Sequence, residues 1–206
     1  MAAANDTIVY YFWTISDWAY FGQERLEAMA RKYGVAIDYR PVNLPEVYAR
    51  TGGILLGQRS QQRQDYRIAE LKRWKKRLGI PLNIEPKYFP VSQDASSHLI
   101  IAAKRAGLPL GKLTFAIMRG IWADEVDISD ETTLSKIAAP LLRDVDALIA
   151  ASKAPEVQAE YQRYTDQAPA DGVFGSPFYL YGGEILWGQD RLDFLEELLA
   201  EKQGSR

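Results

Sequence analysis

The hydrophobic pattern changes period twice along the chain. Ile8 to Trp13 is a short run of β-branched and aromatic residues, which predicts a buried strand. Ser16 and Asp17 supply a helix start. Trp18, Phe21, Leu26, Met29 and Tyr33 then recur at spacings near 3.6, predicting an amphipathic helix over 17–33 that Gly34 ends. Val35 to Val42 alternates as a second strand. A strand, a helix and a strand in this span make a βαβ unit with parallel strands.

The middle of the chain is helical. Leu44 to Gly57, with two adjacent glycines, reads as a loop. Arg59 to Leu78 reads as a charged helix with Ile68, Leu71, Trp74 and Leu78 on one face. Further helical patterns cover 94–106, 110–123, 131–151 and 155–167, and Pro140 should interrupt the 131–151 pattern. Strand character returns only near the end. Pro177 to Tyr181 and Glu184 to Trp187 flank Gly182-Gly183, a two-residue hairpin signal. Residues 190–202 close the chain as a helix with Leu192, Leu195, Leu198 and Leu199 on its apolar face. The order βαβ, helical insert, ββα is that of a thioredoxin fold interrupted once. The fold expectation is therefore an α/β thioredoxin-like domain built from 7–43 and 169–203, with a long all-helical insertion over 44–168.

Composition narrows the chemistry. The 206 residues are 47% hydrophobic and 25% charged, an ordinary globular balance that needs no disulfide or metal staple. With 27 acidic and 25 basic residues there is no general field for nucleic acid or an anionic membrane. There is no cysteine, which excludes a protein-thiol nucleophile and Cys-ligated zinc, and one histidine, His98, argues against a His-based triad or multi-His metal site. Residues 1–6 carry no basic, apolar leader pattern, and no run approaches the ~20 apolar residues of a membrane span. The expectation is a cytoplasmic protein with no metal.

Four places could carry chemistry. Ser16, between a strand and a helix start, is either a plain N-cap or a hydroxyl donor beside an anion held by the helix N-terminus, and the two roles are compatible. Gly175-Ser176-Pro177 precedes the returning strand, where a proline is often only an edge device. Asp190 in Gly188-Gln189-Asp190-Arg191 is a simple cap or a countercharge for a ligand ammonium. Arg59, Arg63, Arg67, Lys72, Arg73, Lys75, Lys76 and Arg77 form a basic cluster that reads mainly as a solvated face, with one or two members available to an anionic ligand. Trp13, Trp18, Tyr20, Tyr48 and Trp187 are core aromatics or the walls of a cleft. His98 reads as structural.

Taken together, Tyr11-Phe12-Trp13-Thr14-Ile15-Ser16 with Tyr20, Arg40-Pro41-Val42, Tyr66 with Arg73-Trp74, Val173-Phe174-Gly175-Ser176-Pro177 and Trp187-Gly188-Gln189-Asp190-Arg191-Leu192 resemble the 2-hydroxychromene-2-carboxylate isomerases and their kappa-class glutathione transferase relatives. The resemblance implies a DsbA-like fold and glutathione as cofactor. It implies that Ser16 contacts the glutathione sulfur and that Ser176, before a cis Pro177, gives backbone contacts to the cysteinyl part. It also implies that Gln189 and Asp190 hold the γ-glutamyl end, and that Arg63 stands for a lysine of the first insert helix. Two departures stand out: Ser16-Asp17 where the family often has Ser-Pro, and Gly52-Gly53 where it often has Gly-Asn. The implied reaction is cis–trans isomerisation of a small aromatic carboxylate by reversible thiolate addition, in a homodimer. A glutathione transferase or peroxidase on the same site, or a non-catalytic ligand-binding module, are the competing readings.

Overall fold

The computed structural model describes residues 7–204; the leader reading of residues 1–6 lies outside them. Strand β1 (Thr7–Phe12) leads into helix α1 (Asp17–Tyr33) and strand β2 (Ala36–Pro41). Both ends of α1 are written in the sequence. Ser16 Oγ accepts the Ala19 N–H, and Gly34 adopts φ 65°, closing the last carbonyls at the C-terminus.

Helices follow: α2 (Leu44–Thr51), α3 (Gln61–Leu78), α4 (Asp94–Arg105), α5 (Gly111–Trp122), α6 (Glu131–Ala138), α7 (Val145–Ser152) and α8 (Pro155–Ala170). One of these corrects the sequence reading, and another follows the interruption expected at Pro140. The expected loop over 44–57 begins with α2, because Pro45 suits a first helical turn and Leu44 and Val47 are buried in a cluster with Tyr161 and Tyr164. The 131–151 pattern is two helices, broken around Pro140, with Asp144 at φ 51° before α7. Strands β3 (Phe178–Tyr181) and β4 (Glu184–Trp187) and helix α9 (Leu192–Gly204) complete the chain, a 3-10 turn over Gln189–Arg191 preceding α9.

The sheet has the order β2-β1-β3-β4. β1 runs parallel to β2, with Tyr10 opposite Tyr39, and antiparallel to β3, with Tyr10 opposite Tyr179. Alternation along β1 divides the core. Ile8, Tyr10 and Phe12 pack with Phe21, Leu26, Met118 and Leu192 on one face; Tyr11 packs with Val42, Val173 and Phe178 on the other. This is a DsbA-like thioredoxin fold with a helical insertion. Among the described residues no helix is long and apolar enough to cross a membrane.

Candidate functional site

The turn after β1 and the turn before β3 meet at the N-terminus of α1. Ser176-Pro177 is a cis peptide. Ser176 Oγ accepts the Trp13 N–H at 2.9 Å, and the Ser16 hydroxyl, besides capping α1, points at the Ser176 carbonyl oxygen at 3.5 Å. That long contact leaves the hydroxyl proton available to a better acceptor. Both serines are buried.

A cavity of about 820 Å³ opens at this junction. Its walls are mostly apolar: Trp13, Ile15 and Trp18 around the start of α1, Leu44, Tyr48 and Leu55 from α2 and the segment after it, and Phe89 and Pro90. A second cavity of about 400 Å³ adjoins it, with Trp18, Tyr48, Arg59 and Ser176 common to both. It runs to Trp187, Gly188, Gln189 and Asp190. Gly188 holds φ 103°, and a Cβ there would collide with the Asp190 carboxylate, so the carboxylate is seated against bare backbone.

The structure thus places Ser16 in the wall of the first space, Gln189 and Asp190 in the wall of the second, and Ser176 in both, with Pro177 beside Ser176. Their side chains are placed unequally. Asp190 remains 44% exposed beside Arg191. Gln189 is buried, and Arg25 donates to its side-chain oxygen at 3.0 Å and its backbone carbonyl at 3.2 Å. Arg63 does not join them: it lies on the exposed side of α3 and is not in the cavity wall. Arg67, one turn further along α3 and nearer the start of α1, lines the cavity instead and pairs with Asp17 there. Of the aromatic candidates, Trp13, Trp18, Tyr48 and Trp187 line the two spaces, while Tyr20 is core, its hydroxyl donating to the Pro81 carbonyl at 2.9 Å. His98 packs edge-on against Tyr161 at 5.1 Å, and burial lowers its imidazole pKa.

Two features escaped the sequence reading. Arg67, counted there with the solvated face, is only 11% exposed, lies over the rings of Phe89 and Trp122 at 5.6 and 5.8 Å, and forms an ion pair with Asp17. Asp17 also accepts the Trp18 N–H at 2.7 Å. Burial pushes the Asp17 carboxyl above its ordinary value, outweighing the opposing pull of Arg67 and the more distant Arg59. Arg59 donates to the Ile54 carbonyl at 2.9 Å and the Tyr48 hydroxyl at 3.5 Å. The second feature is the Tyr48 ring, which covers Gly53 so closely that a Cβ there would fall inside it. The glycine pair was the visible signal; the ring that needs it was not.

This arrangement offers a hydroxyl and a helix N-terminus to an anion, cations of α3 and its approach nearby, and flat apolar walls for a ring. The family model of the DSBA-like thioredoxin domain matches residues 7–200. The chain is 33% identical over 197 residues to the 2-hydroxychromene-2-carboxylate isomerase of Sphingobium xenophagum, covering 95% of this chain and 98% of that one. Among solved structures it is similar to a 2-hydroxychromene-2-carboxylate isomerase, with a TM-score of 0.80 at 24% identity over 97% of this chain and 98% of that one. It is also similar in fold to the cytosolic disulfide reductase DsbM of Pseudomonas aeruginosa with GSH, with a TM-score of 0.69 at 15% identity over 96% and 98% of the two chains.

Proposed function

The chain belongs to the DSBA-like thioredoxin family and, within it, to the 2-hydroxychromene-2-carboxylate isomerases, and from that premise we propose that it is a glutathione-dependent cis–trans isomerase of 2-hydroxychromene-2-carboxylate or a related aromatic carboxylate. The observation that carries this reading is the junction itself: a cysteine-free chain sets a buried hydroxyl and the N-terminus of α1 in the wall of an apolar chamber, and a second space that shares four of its wall residues reaches a carboxylate.

The residues present fit glutathione. Ser16 would donate its hydroxyl hydrogen bond to the sulfur, exchanging the weak contact to the Ser176 carbonyl for an anion. Backbone at Ser176, fixed by the Oγ contact to Trp13, would pair with the cysteinyl part. Asp190 would meet the γ-glutamyl ammonium, with Gln189 shaping that end through its own bonds to Arg25. Bound glutathione supplies a nucleophilic thiolate that adds reversibly to a conjugated carbon, so that the former double bond can turn. The protein's part is to lower the thiol pKa electrostatically and to hold the ring: Trp13, Trp18 and Phe89 wall a flat substrate and keep water out, and the α1 dipole with Ser16 stabilises the anion.

The test is chromene absorbance followed with and without glutathione, for wild type and Ser16→Ala. Isomerisation should require glutathione, and Ser16→Ala should lower kcat by up to about 10²–10³, the size typical of a lost donor to an anion, with the intact helix N-terminus moderating the loss. Equal turnover without glutathione would eliminate the mechanism. Activity on a generic electrophile with none on the chromene would move the assignment to a glutathione transferase.

A further inference from the structure

Asp17 is a charged group in the cleft that the proposed reaction leaves without a role. It stands next to Ser16 at the first turn of α1, lines the main cavity and is 5% exposed. One carboxylate oxygen accepts the Trp18 N–H and the other pairs with Arg67. A carboxylate has about four lone-pair sites, so both oxygens keep accepting capacity beyond these bonds. The charged and titratable groups that face it are Arg67 on α3, Arg59 before α3 and Tyr48 on α2. Arg67 is held over two aromatic rings, which keeps its charge at this spot.

Release of a thiol proton from this site to solvent would set two anions, carboxylate and thiolate, at one helix start. Like charges so placed disfavour each other. A proton kept inside the cleft leaves the net charge unchanged and leaves Arg67 with a single anion to balance. Resting on the glutathione reading above, we propose that Asp17 is the proton acceptor for the glutathione thiol. The S–H bond breaks, its electron pair stays on sulfur, and the proton moves to an Asp17 carboxylate oxygen, giving a thiolate and a neutral carboxyl. Arg67 then faces the thiolate as its countercharge, and Asp17 returns the proton when glutathione leaves. The burial that already raises the Asp17 carboxyl pKa acts in the same direction.

The prediction concerns proton count rather than turnover. Glutathione is titrated into wild type, Asp17→Asn and Asp17→Glu at neutral pH. Thiolate is read from its far-ultraviolet absorbance, and proton release from calorimetry in two buffers of different ionisation enthalpy. Wild type should form thiolate with far fewer protons released than thiolates made. Asp17→Asn should release one proton for each thiolate, and Asp17→Glu should restore retention. One-for-one release in wild type overturns the proposal, and so does glutathione binding without thiolate; either result is readable even if Asp17→Asn fails to fold. Equal proton counts in wild type and a folded Asp17→Asn also overturn it. No binding heat in wild type removes the glutathione reading itself, and this inference with it.

Discussion

Asp17 at the cleft and Asp38 on β2 each reach from the βαβ unit to a cation of the inserted helices, and burial wins at one and loses at the other. Asp38 is buried in part, which alone would raise its pKa, but Lys104 of α4 donates to it, Arg40 donates at 2.7 Å, and the two charges together pull it below its ordinary value. The surroundings complete the cluster: Lys104 also donates to the Tyr164 hydroxyl at 2.8 Å, and Arg40 to the Tyr11 hydroxyl at 2.7 Å. Asp17 is 6% exposed at the side chain against 24% for Asp38, and has one close cation. One carboxylate has a cation on each oxygen and holds β2 to α4; the other has a single close cation and lines a cavity. Shifts toward neutrality in a cleft are characteristic of functional positions, although structural pairs produce them too.

The largest test of this contrast removes Arg67. Arg67→Ala would leave Asp17 buried without its close cation, a change that destabilises by about 3–5 kcal/mol when the orphan stays charged. Because Asp17 can take a proton instead, the loss measured by denaturant unfolding should sit near the low end, at about 3 kcal/mol, and should shrink as pH falls. A pH-independent loss would show that Asp17 stays ionised. Asp38→Asn should cost less, about 1–2 kcal/mol, since its partners are partly solvated and keep other acceptors; a larger loss than in Arg67→Ala would reverse the ranking of the two sites.

The smallest effect is also the sharpest, because it differs in sign. The ordinary carboxyl value for both residues is 3.8. A lowered folded value means that Asp38 contributes stability above 3.8, lost as pH falls through the depressed folded value. A raised folded value means that the contribution of Asp17 is complete below 3.8 and is lost as pH rises through the raised value. Asp17→Asn should therefore gain on wild type as pH rises above 3.8, whereas Asp38→Asn should recover toward wild type only below it. Unfolding curves across an acid pH series would show two slopes of the same sign if the distinction between the sites is mistaken.

How much could be read from the sequence follows the same division between local and distant causes. Helix α1 was predicted over its observed span because Ser16 and Gly34 cap it locally. The β3–β4 hairpin was legible because Gly182 and Gly183 supply φ 63° and 93°, which that turn requires. Helix α2 was not, because its eight residues bury only Leu44 and Val47, against a helix more than a hundred residues later. In the site, Ser16 and Ser176 could be placed together from the order of elements alone. The inward turn of Arg67 could not, since a helix rich in lysine and arginine looks solvated until the partner at Asp17 is known. Arg63, one turn earlier, was chosen by resemblance and lies outside the cavity wall, and nothing in the sequence of α3 separates it from Arg67.

The ring of Tyr48 over Gly53 also bears on how such a cleft can change through descent. With the ring where it is, any side chain at position 53 must first displace an aromatic that walls both cavities. Position 53 can therefore acquire an asparagine only in a background where residue 48 has already shrunk or swung away, and each single step taken in the other order disturbs the cleft. The two positions form a mutational ratchet: Gly53→Asn should be harmful alone and tolerated beside Tyr48→Ala, so that ancestors and descendants on either side of this exchange are separated by a pair of substitutions rather than by one.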